Sequence, residues 1–242
     1  MKFSKLRTVF GAVIVLLALA ILLSLGTWQL QRLAWKEGLL ADIAERRAAP
    51  AIDVLAIDAM AKAGEDVDYR AMSATGTYLN NKERHFFATY EGRTGYYVYT
   101  PLQLADGRFL LVNRGFVPFD SKEPETRKEG QLTGLQAVHG LARAELSEKP
   151  SSLVPDNDVA KNIFYWKDHD VMAASVGLDL ANVVPFFMDA DAAPNPGGYP
   201  IGGVTQFDLP NSHLQYAVTW YGLAAALVAI SIAFMIKRRR KA

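Results

Sequence analysis

One histidine stands in a context suited to binding a metal-containing macrocycle. His213 precedes an apolar segment and is followed by Tyr216, Ala217 and Trp220. In a helix, residues three, four and seven positions apart share one face. Neutral imidazole is a common axial ligand of haem iron. Haem ligation by His213, with Tyr216 and Trp220 as further cofactor-binding residues, is therefore one interpretation. The other is a histidine that caps or hydrogen-bonds the helix start within an ordinary interfacial belt of aromatic residues.

A second group follows the first apolar segment of the chain. Trp28, Arg32 and Trp35 have the spacing of one helical face. Arg32 could meet a propionate or a lipid phosphate, which makes Trp28 and Arg32 candidate cofactor-binding residues. An arginine that reaches from an interfacial aromatic belt towards water accounts for the same spacing without any ligand.

Two uncharged segments must position these groups. Residues 9–25 and 216–236 contain no Asp, Glu, Lys or Arg. At about 1.5 Å per residue, helices of that length approach or match a hydrocarbon core of about 30 Å. The sequence predicts transmembrane helices at 9–27 and 213–236 that flank a domain at 28–212. A cleavable signal peptide is disfavoured for the first segment, because the bulky Trp28 stands where a small-residue cleavage site is expected.

Basic residues lie at the outer ends of both segments. Lys2, Lys5 and Arg7 precede the first, and residues 237–241 are all Lys or Arg. Such residues are retained in the cytoplasm, so the N-terminus at 1–8 and the basic tail at 237–242 are predicted to be cytoplasmic and the domain periplasmic. The apolar segment begins without a transit-peptide pattern, which favours a bacterial inner membrane.

Charge and cysteine content exclude several classes of function. All 25 acidic residues lie between the two apolar segments, and an acidic domain is not typical of a nucleic-acid binder. The chain has no cysteine, so it holds no covalent haem-attachment motif, thiolate metal site or thiol redox motif.

The sequence between the two apolar segments predicts an α+β domain with mainly antiparallel strands, in the form of a curled sheet or partial barrel. The first helix is expected to continue over residues 28–47, and short helices are predicted at 57–63 and between Asp168 and Gly177. Asp106-Gly107 indicates a hairpin, and Pro185 favours an edge position for its strand. Strands are predicted at 69–79, 84–90, 96–104, 109–117, 135–144, 163–166 and 183–188.

The domain shows no pattern typical of an enzyme. His85, His139 and His169 are scattered without metal-ligand spacing, and they are interpreted as ordinary surface or strand residues. Arg114, at the end of an apolar strand, is expected near the edge of the core. No hydrolase, zinc-protease or nucleotide-binding motif is present.

Three sequence segments together carry a resemblance to a known family. In chain order they are Leu25-Gly26-Thr27-Trp28-Gln29-Leu30-Gln31-Arg32 with Trp35-Lys36, Leu111-Val112-Asn113-Arg114-Gly115-Phe116-Val117-Pro118, and Asn211-Ser212-His213-Leu214-Gln215-Tyr216-Ala217-Val218-Thr219-Trp220. The ordered set resembles the surfeit locus protein 1 family, membrane assembly factors of cytochrome c oxidase. Phe116 stands where the family often carries Trp.

The resemblance implies a role without catalysis. Family members assist maturation of oxidase subunit I at the stage of haem a insertion, and the histidine that matches His213 is the suspected iron ligand. Haem a, bound transiently, is the implied cofactor. Subunit I, with haem a synthase as a further candidate, is the implied partner. A farnesylated haem is poorly soluble in water, so a carrier is expected to work at the bilayer.

Three other functions compete with this expectation. A scaffold that stabilises an oxidase assembly intermediate would need no cofactor. A membrane-anchored periplasmic enzyme would need a clustered nucleophile and base, and the sequence shows none. A sensor would need an output module, for which the predicted cytoplasmic ends are too short.

Overall fold

The computed structural model describes residues 2–207 and 210–240, without the side chains of residues 2–8 and 239. The chain divides into two compact units. The terminal unit contains the residues up to Asp42 together with those from Phe207 onwards, and the central unit is Ile43–Gln206.

The terminal unit is built from two long helices. Helix α1 spans Lys2–Ala48 and helix α4 spans His213–Arg239. Val9–Ala48 and His213–Arg238 are long and apolar enough to cross a membrane. The predicted continuation of the first helix beyond residue 27 is confirmed, because α1 has no break before Ala48. The membrane boundaries at 9–27 and 213–236 remain predictions.

The central unit confirms the predicted α+β class with mainly antiparallel strands. Its seven-stranded sheet has the order β1-β2-β6-β7-β5-β4-β3, and only the β1–β2 and β5–β7 pairs are parallel. The elements are β1 (Ile52–Asp53), α2 (Val54–Lys62), β2 (Ala71–Tyr78), β3 (Arg84–Tyr90), β4 (Arg93–Leu104), β5 (Phe109–Pro118), β6 (Leu135–Ala144), α3 (His169–Ser175) and β7 (Val183–Ala190).

The sheet closes on itself through β2. This strand pairs with β6 along most of its length and also with the end of β4, so β2, β6, β7, β5 and β4 form a ring. The closure needs a glycine at residue 76, where a Cβ atom would lie 2.3 Å from the Gln103 carbonyl oxygen. The predicted curled sheet is therefore a ring of five strands with β1 and β3 outside it.

Alternating burial explains how the ring encloses a core. Along β2, inward-facing side chains such as Met72 are buried and those between them are more exposed, as expected for a strand with one face on the core. Helix α2 contributes Ile57, which packs in the same cluster as Met72, Leu102 and Phe186. Asp53 caps this helix by accepting from the amide of Leu55.

The edge position predicted from Pro185 is wrong. Strand β7 lies between β6 and β5 inside the sheet. Pairing with β6 begins only at Phe186, and the register with β5 shifts between Val183 and Phe187. Pro185 therefore falls where the ladder is interrupted, so its missing N–H costs no regular hydrogen bond.

Residues 163–166 do not form the predicted strand. Ile163 and Phe164 make only isolated bridges, to Asp158 and Phe86. The amide of Phe87 donates to the Phe164 carbonyl at 2.7 Å, so this segment covers part of the outer edge of β3.

The short helix predicted between Asp168 and Gly177 is confirmed. Asp168 caps α3, and Gly177 follows this helix at a φ of 71°.

Candidate functional site

The start of α4 is joined to α1 by a buried amide. His213 is the first residue of α4, and its Nδ1 atom lies 2.8 Å from Oε1 of Gln29. Gln29 is only 8% exposed. Because the amide oxygen can only accept, Nδ1–H of His213 is the donor, and the lone pair of the neutral ring is on Nε2. This arrangement gives the imidazole one fixed partner and one available nitrogen.

Two further contacts join the same stretches of chain. The Tyr221 hydroxyl lies 3.0 Å from Oγ1 of Thr27. Thr27 gives its own hydroxyl proton to the Leu23 carbonyl, so Tyr221 is the donor between them. Lys36 donates to the Pro210 carbonyl. A Cβ atom on Gly26 would lie 2.9 Å from the ring of Tyr221, so the tyrosine occupies the space that glycine leaves.

One face of α4 carries the contacts with α1. His213, Ala217, Tyr221 and Ala224 follow helical spacing, and both alanines are buried. Small residues at such positions let membrane helices approach closely. Helix α4 therefore presents His213 on its packed face.

The other candidate residues lie in more open positions. Tyr216 and Trp28 are each 53% exposed, and Trp220 is half-buried. Arg32 stacks over the Trp35 ring at 4.1 Å. The structure thus brings His213 together with Gln29, and among the described residues it shows no hydrogen bond of His213 to Trp28 or Arg32. Their cofactor-binding role remains a prediction.

Sequence reasoning did not single out Gln29, although it lies in the segment that carried the resemblance. A signal was present, because an uncharged polar side chain at the edge of an apolar helix tends to find a buried partner. What the sequence could not supply was the partner, which lies 184 residues away.

The donor set at His213 fits an axial haem ligand. Metal-binding histidines generally donate their second ring N–H to an oxygen acceptor, which fixes the tautomer and the ring orientation. Gln29 supplies that acceptor, and no described residue hydrogen-bonds to Nε2. His213 is therefore the residue that would hold a haem iron.

The mid-domain segment belongs to a buried structural network. Arg114 is 2% exposed, deeper than the core edge predicted for it, and its Nη2 donates to the Gly130 carbonyl at 2.6 Å. Asn113 donates to Oδ1 of Asp189 at 2.9 Å and accepts from the Gly115 amide. These contacts give the segment a role in packing.

Gly115 is required where a loop crosses β5. The amide and carbonyl of Phe116 pair with Ile201, both at 2.8 Å. Gly115 has a φ of 121°, and a Cβ there would lie 1.9 Å from the Ile201 carbonyl oxygen. The close approach of the two backbones leaves no room for a side chain.

Two buried guanidinium groups share one carboxylate in the central unit. Arg127 binds both oxygens of Glu83, with Nη1 at 3.1 Å from Oε1 and Nη2 on Oε2. Nη1 of Arg114 lies 3.9 Å from the same carboxylate, and all three side chains are buried. The pKa of Arg114 is lowered, because the effect of burial outweighs the opposing effects of Tyr78 and Glu83.

His85 is buried beside this network, so the expectation of an ordinary surface or strand residue is only half right. It lies on β3 and is 2% exposed. Its Nδ1 lies 2.9 Å from the amide nitrogen of Asn162. Burial, followed by the nearby charges of Arg127 and Lys122, lowers the pKa of His85 to about 3. The ring is therefore neutral at physiological pH.

His169 lies in a group that could hold a metal ion, which differs from the expectation of no ligand set among the histidines. Its Nδ1 is 3.2 Å from Oδ1 of Asp170 and 3.6 Å from Oε2 of Glu145. The same geometry is that of a buried histidine that hydrogen-bonds to Asp170 with the exposed carboxylate of Glu145 nearby. His139, in contrast, lies exposed on β6.

The two helices and the domain between them define a class of protein. Membrane-length helices near both termini flank an α+β domain, and a histidine at the start of the second helix is held by the first. This arrangement describes a membrane-anchored protein whose candidate cofactor residue lies at the end of a helix.

Comparison with known proteins identifies the family. Residues 16–225 match the SURF1 family, and the chain belongs to it. The chain is 38% identical over 218 residues to Surfeit locus protein 1 of Rattus norvegicus, covering 84% of this chain and 68% of that protein. It is 36% identical to the Homo sapiens protein of the same name, covering 84% and 70%. A SURF1-like protein of Monosiga brevicollis is 35% identical over 231 residues, covering 90% and 83%.

Proposed function

We propose that this protein is an assembly factor of cytochrome c oxidase that assists the delivery of haem a to subunit I. Membership of the SURF1 family over residues 16–225 supports the assembly role. The observation that carries the haem-binding step is the hydrogen bond between His213 and Gln29, which leaves Nε2 available. The protein acts as a carrier without catalysing a reaction.

The proposed working position is the outer face of a bacterial inner membrane. Both termini lie in the cytoplasm and the central domain lies in the periplasm, because Lys and Arg flank the outer ends of both helices. His213 then stands at the periplasmic end of the second helix, where a poorly soluble haem can pass between bilayer and partner. Subunit I receives the haem, and haem a synthase is a candidate donor.

A single protein ligand suits a carrier. Transfer requires that the haem be held firmly enough to exclude water and weakly enough to leave. Two strong protein ligands would release a haem slowly, whereas His213 alone would hold it through a single protein bond that can exchange. We therefore expect spectra of one histidine ligand rather than of stable bis-histidine haem.

The test is co-expression with the enzymes of haem a synthesis, followed by purification and pyridine haemochrome spectra. His213→Ala should lower the co-purified haem at least tenfold while the amount of protein in the membrane is unchanged. His139→Ala is the matched control, because this histidine is exposed on the domain, and it should retain haem as the wild type does.

The alternative is a scaffold that holds subunit I without binding a cofactor. It predicts that the wild-type protein co-purifies with subunit I and carries no haem under any expression condition. Haem occupancy that is unchanged in the His213→Ala variant would instead show that the ligand is another residue.

A further inference from the structure

Gln29 is a buried polar side chain that contacts the start of α4. It is 8% exposed, and its Oε1 accepts from Nδ1 of His213 at 2.8 Å. Free neutral imidazole in water exchanges its proton between the two ring nitrogens. With the carbonyl oxygen of Gln29 facing Nδ1, the Nδ1–H tautomer is favoured, because the other tautomer would place two lone pairs against each other.

A second contact between α1 and α4 lies one turn away from Gln29. Gly26 precedes Gln29 by three residues, and the ring of Tyr221 lies where a Cβ on Gly26 would be. The Tyr221 hydroxyl donates to Thr27. Because Tyr221 follows His213 by two helical turns, this contact lies on the same face of α4 as the Gln29 contact and can be removed separately from it.

We propose that Gln29 is a positioning residue for the haem site. It holds His213 in the Nδ1–H tautomer with a fixed ring orientation, so that Nε2 is the nitrogen offered to the iron. This role rests on the proposed function, since it assigns Gln29 to the histidine that would bind haem. A neutral amide acceptor leaves the imidazole a weaker donor to iron than a carboxylate acceptor would, which suits a haem that must be given up.

The first experiment needs no haem. The protein contains four histidines, so ¹⁵N-histidine labelling of the full chain in detergent, with subtraction of the His213→Ala spectrum, assigns the His213 resonances. At alkaline pH the wild type should show Nδ1 protonated and Nε2 unprotonated. Gln29→Leu should shift the population towards the Nε2–H tautomer. A wild-type His213 that carries its proton on Nε2 would overturn the proposal.

The second experiment uses protein loaded with haem by co-expression. Gln29→Leu should lower haem occupancy about tenfold, as is typical when the partner of a ligating histidine is removed. Gln29→Glu should retain haem and lower the midpoint potential of the iron, because a carboxylate acceptor makes the imidazole more electron-rich. If Gln29 had only a structural role, the two variants would change haem occupancy without the lower midpoint potential expected for Gln29→Glu.

Tyr221→Phe is the matched control. It removes a different side-chain hydrogen bond between the same helices and leaves the imidazole untouched. We expect its haem spectrum and potential to equal those of the wild type. A change like that of Gln29→Leu would show that helix packing is responsible, and it would overturn the positioning role.

Failure of this inference can be told apart from failure of the proposed function. Wild-type protein without haem contradicts the haem-delivery function. Wild-type protein that holds haem, loses it in His213→Ala and keeps the same occupancy and potential in Gln29→Leu and Gln29→Glu contradicts only the role of Gln29.

Discussion

At the scale of single residues, the central domain contains a set of buried charges that depend on one another. Glu83 is the one carboxylate within 4 Å of the guanidinium groups of both Arg114 and Arg127 in the part of the chain that the structure describes. Two cations and one anion away from water are stable only as a set. Removal of one partner from such a set leaves an uncompensated charge, which is far more costly than the net gain from the pair.

Glu83→Gln should therefore destabilise the protein strongly. We expect the free energy of unfolding to fall by about 3–5 kcal/mol, because the buried guanidinium groups lose their counter-charge. The measurement is guanidinium-induced unfolding of the full chain in detergent, followed by near-UV circular dichroism.

The control for this prediction is Asp156→Asn. Asp156 pairs with Lys149 at 2.6 Å, but its side chain is 94% exposed, and exposed ion pairs contribute little. The unfolding midpoint of the Asp156→Asn variant should equal that of the wild type. Equal effects of the two substitutions would contradict the importance assigned to burial.

His85 makes stability depend on pH. Its pKa is about 3 in the folded protein, lowered first by burial and then by Arg127, against about 6.5 when exposed. Between about pH 6.5 and about pH 3, the unfolded chain therefore binds a proton at His85 that the folded protein does not bind. Stability that is present above about pH 6.5 is lost as the pH falls, by up to about 1.4 kcal/mol per pH unit.

The prediction is tested by comparing wild type with His85→Gln. The pH dependence of the unfolding free energy between about pH 6 and pH 4.5 should be flatter in the variant. This window lies above the range in which the carboxylates with lowered pKa, such as Asp58, begin to protonate. Parallel pH profiles for the two proteins would mean that His85 does not carry the effect.

At the scale of elements, the pairing of α1 with α4 depends on a glycine at residue 26. Gly26 leaves room for the ring of Tyr221, which a Cβ would approach to 2.9 Å. Glycine in a helix is unfavourable by about 1 kcal/mol relative to alanine. Its use here is explained by the close packing.

Gly26→Val should separate the two helices locally. Because the added side chain overlaps the Tyr221 ring, we expect a loss of about 1–3 kcal/mol of stability, read as a lower midpoint of thermal unfolding of the full chain in detergent. Gly222→Val in α4 is the control, since no atom lies within 4 Å of a Cβ at that position. A larger effect at residue 222 would contradict the packing role of Gly26.

The elements differ in how well their sequence predicts them. The strands at 84–90 and 135–144 have the predicted bounds, because their apolar alternation ends at clear turn residues. The edge position predicted for β7 from Pro185 was wrong. A proline shows that a backbone N–H donor is missing, but it does not show where the hydrogen bonding between central strands is interrupted. Pairing of β2 with β4 has no local signature, because it joins residues far apart in the chain.

At the scale of the whole molecule, the direction of insertion decides where His213 works. Cationic flanks place both termini in the cytoplasm in the proposed topology. The absence of cysteine allows single-cysteine labelling without a background. Leu153 is 91% exposed on the central domain and is a suitable reporter.

Leu153→Cys and Ala242→Cys should label differently. A membrane-impermeant maleimide added to intact spheroplasts should modify the cysteine at residue 153, which the proposal places in the periplasm. The cysteine at residue 242 should react only after lysis. The reverse pattern would place the domain in the cytoplasm and would remove the basis for periplasmic haem delivery.

The sequence by itself determined the features that depend on length, period and charge. Two apolar segments of membrane length, cationic outer flanks, an acidic domain of mainly antiparallel strands and a histidine at a helix start are all local properties of neighbouring residues. Each can be recognised before any long-range contact is known, because helices, strands and charge clusters arise from residues a few positions apart.

Only the tertiary structure decided which side chains meet. Gln29 and His213 are 184 residues apart, and Glu83 and Arg127 are 44 apart. A buried polar group must find a partner, but the rule does not say which one. The choice follows from how strands close and helices pack, since only the folded backbone brings distant polar atoms within hydrogen-bond distance and leaves Nε2 of His213 available.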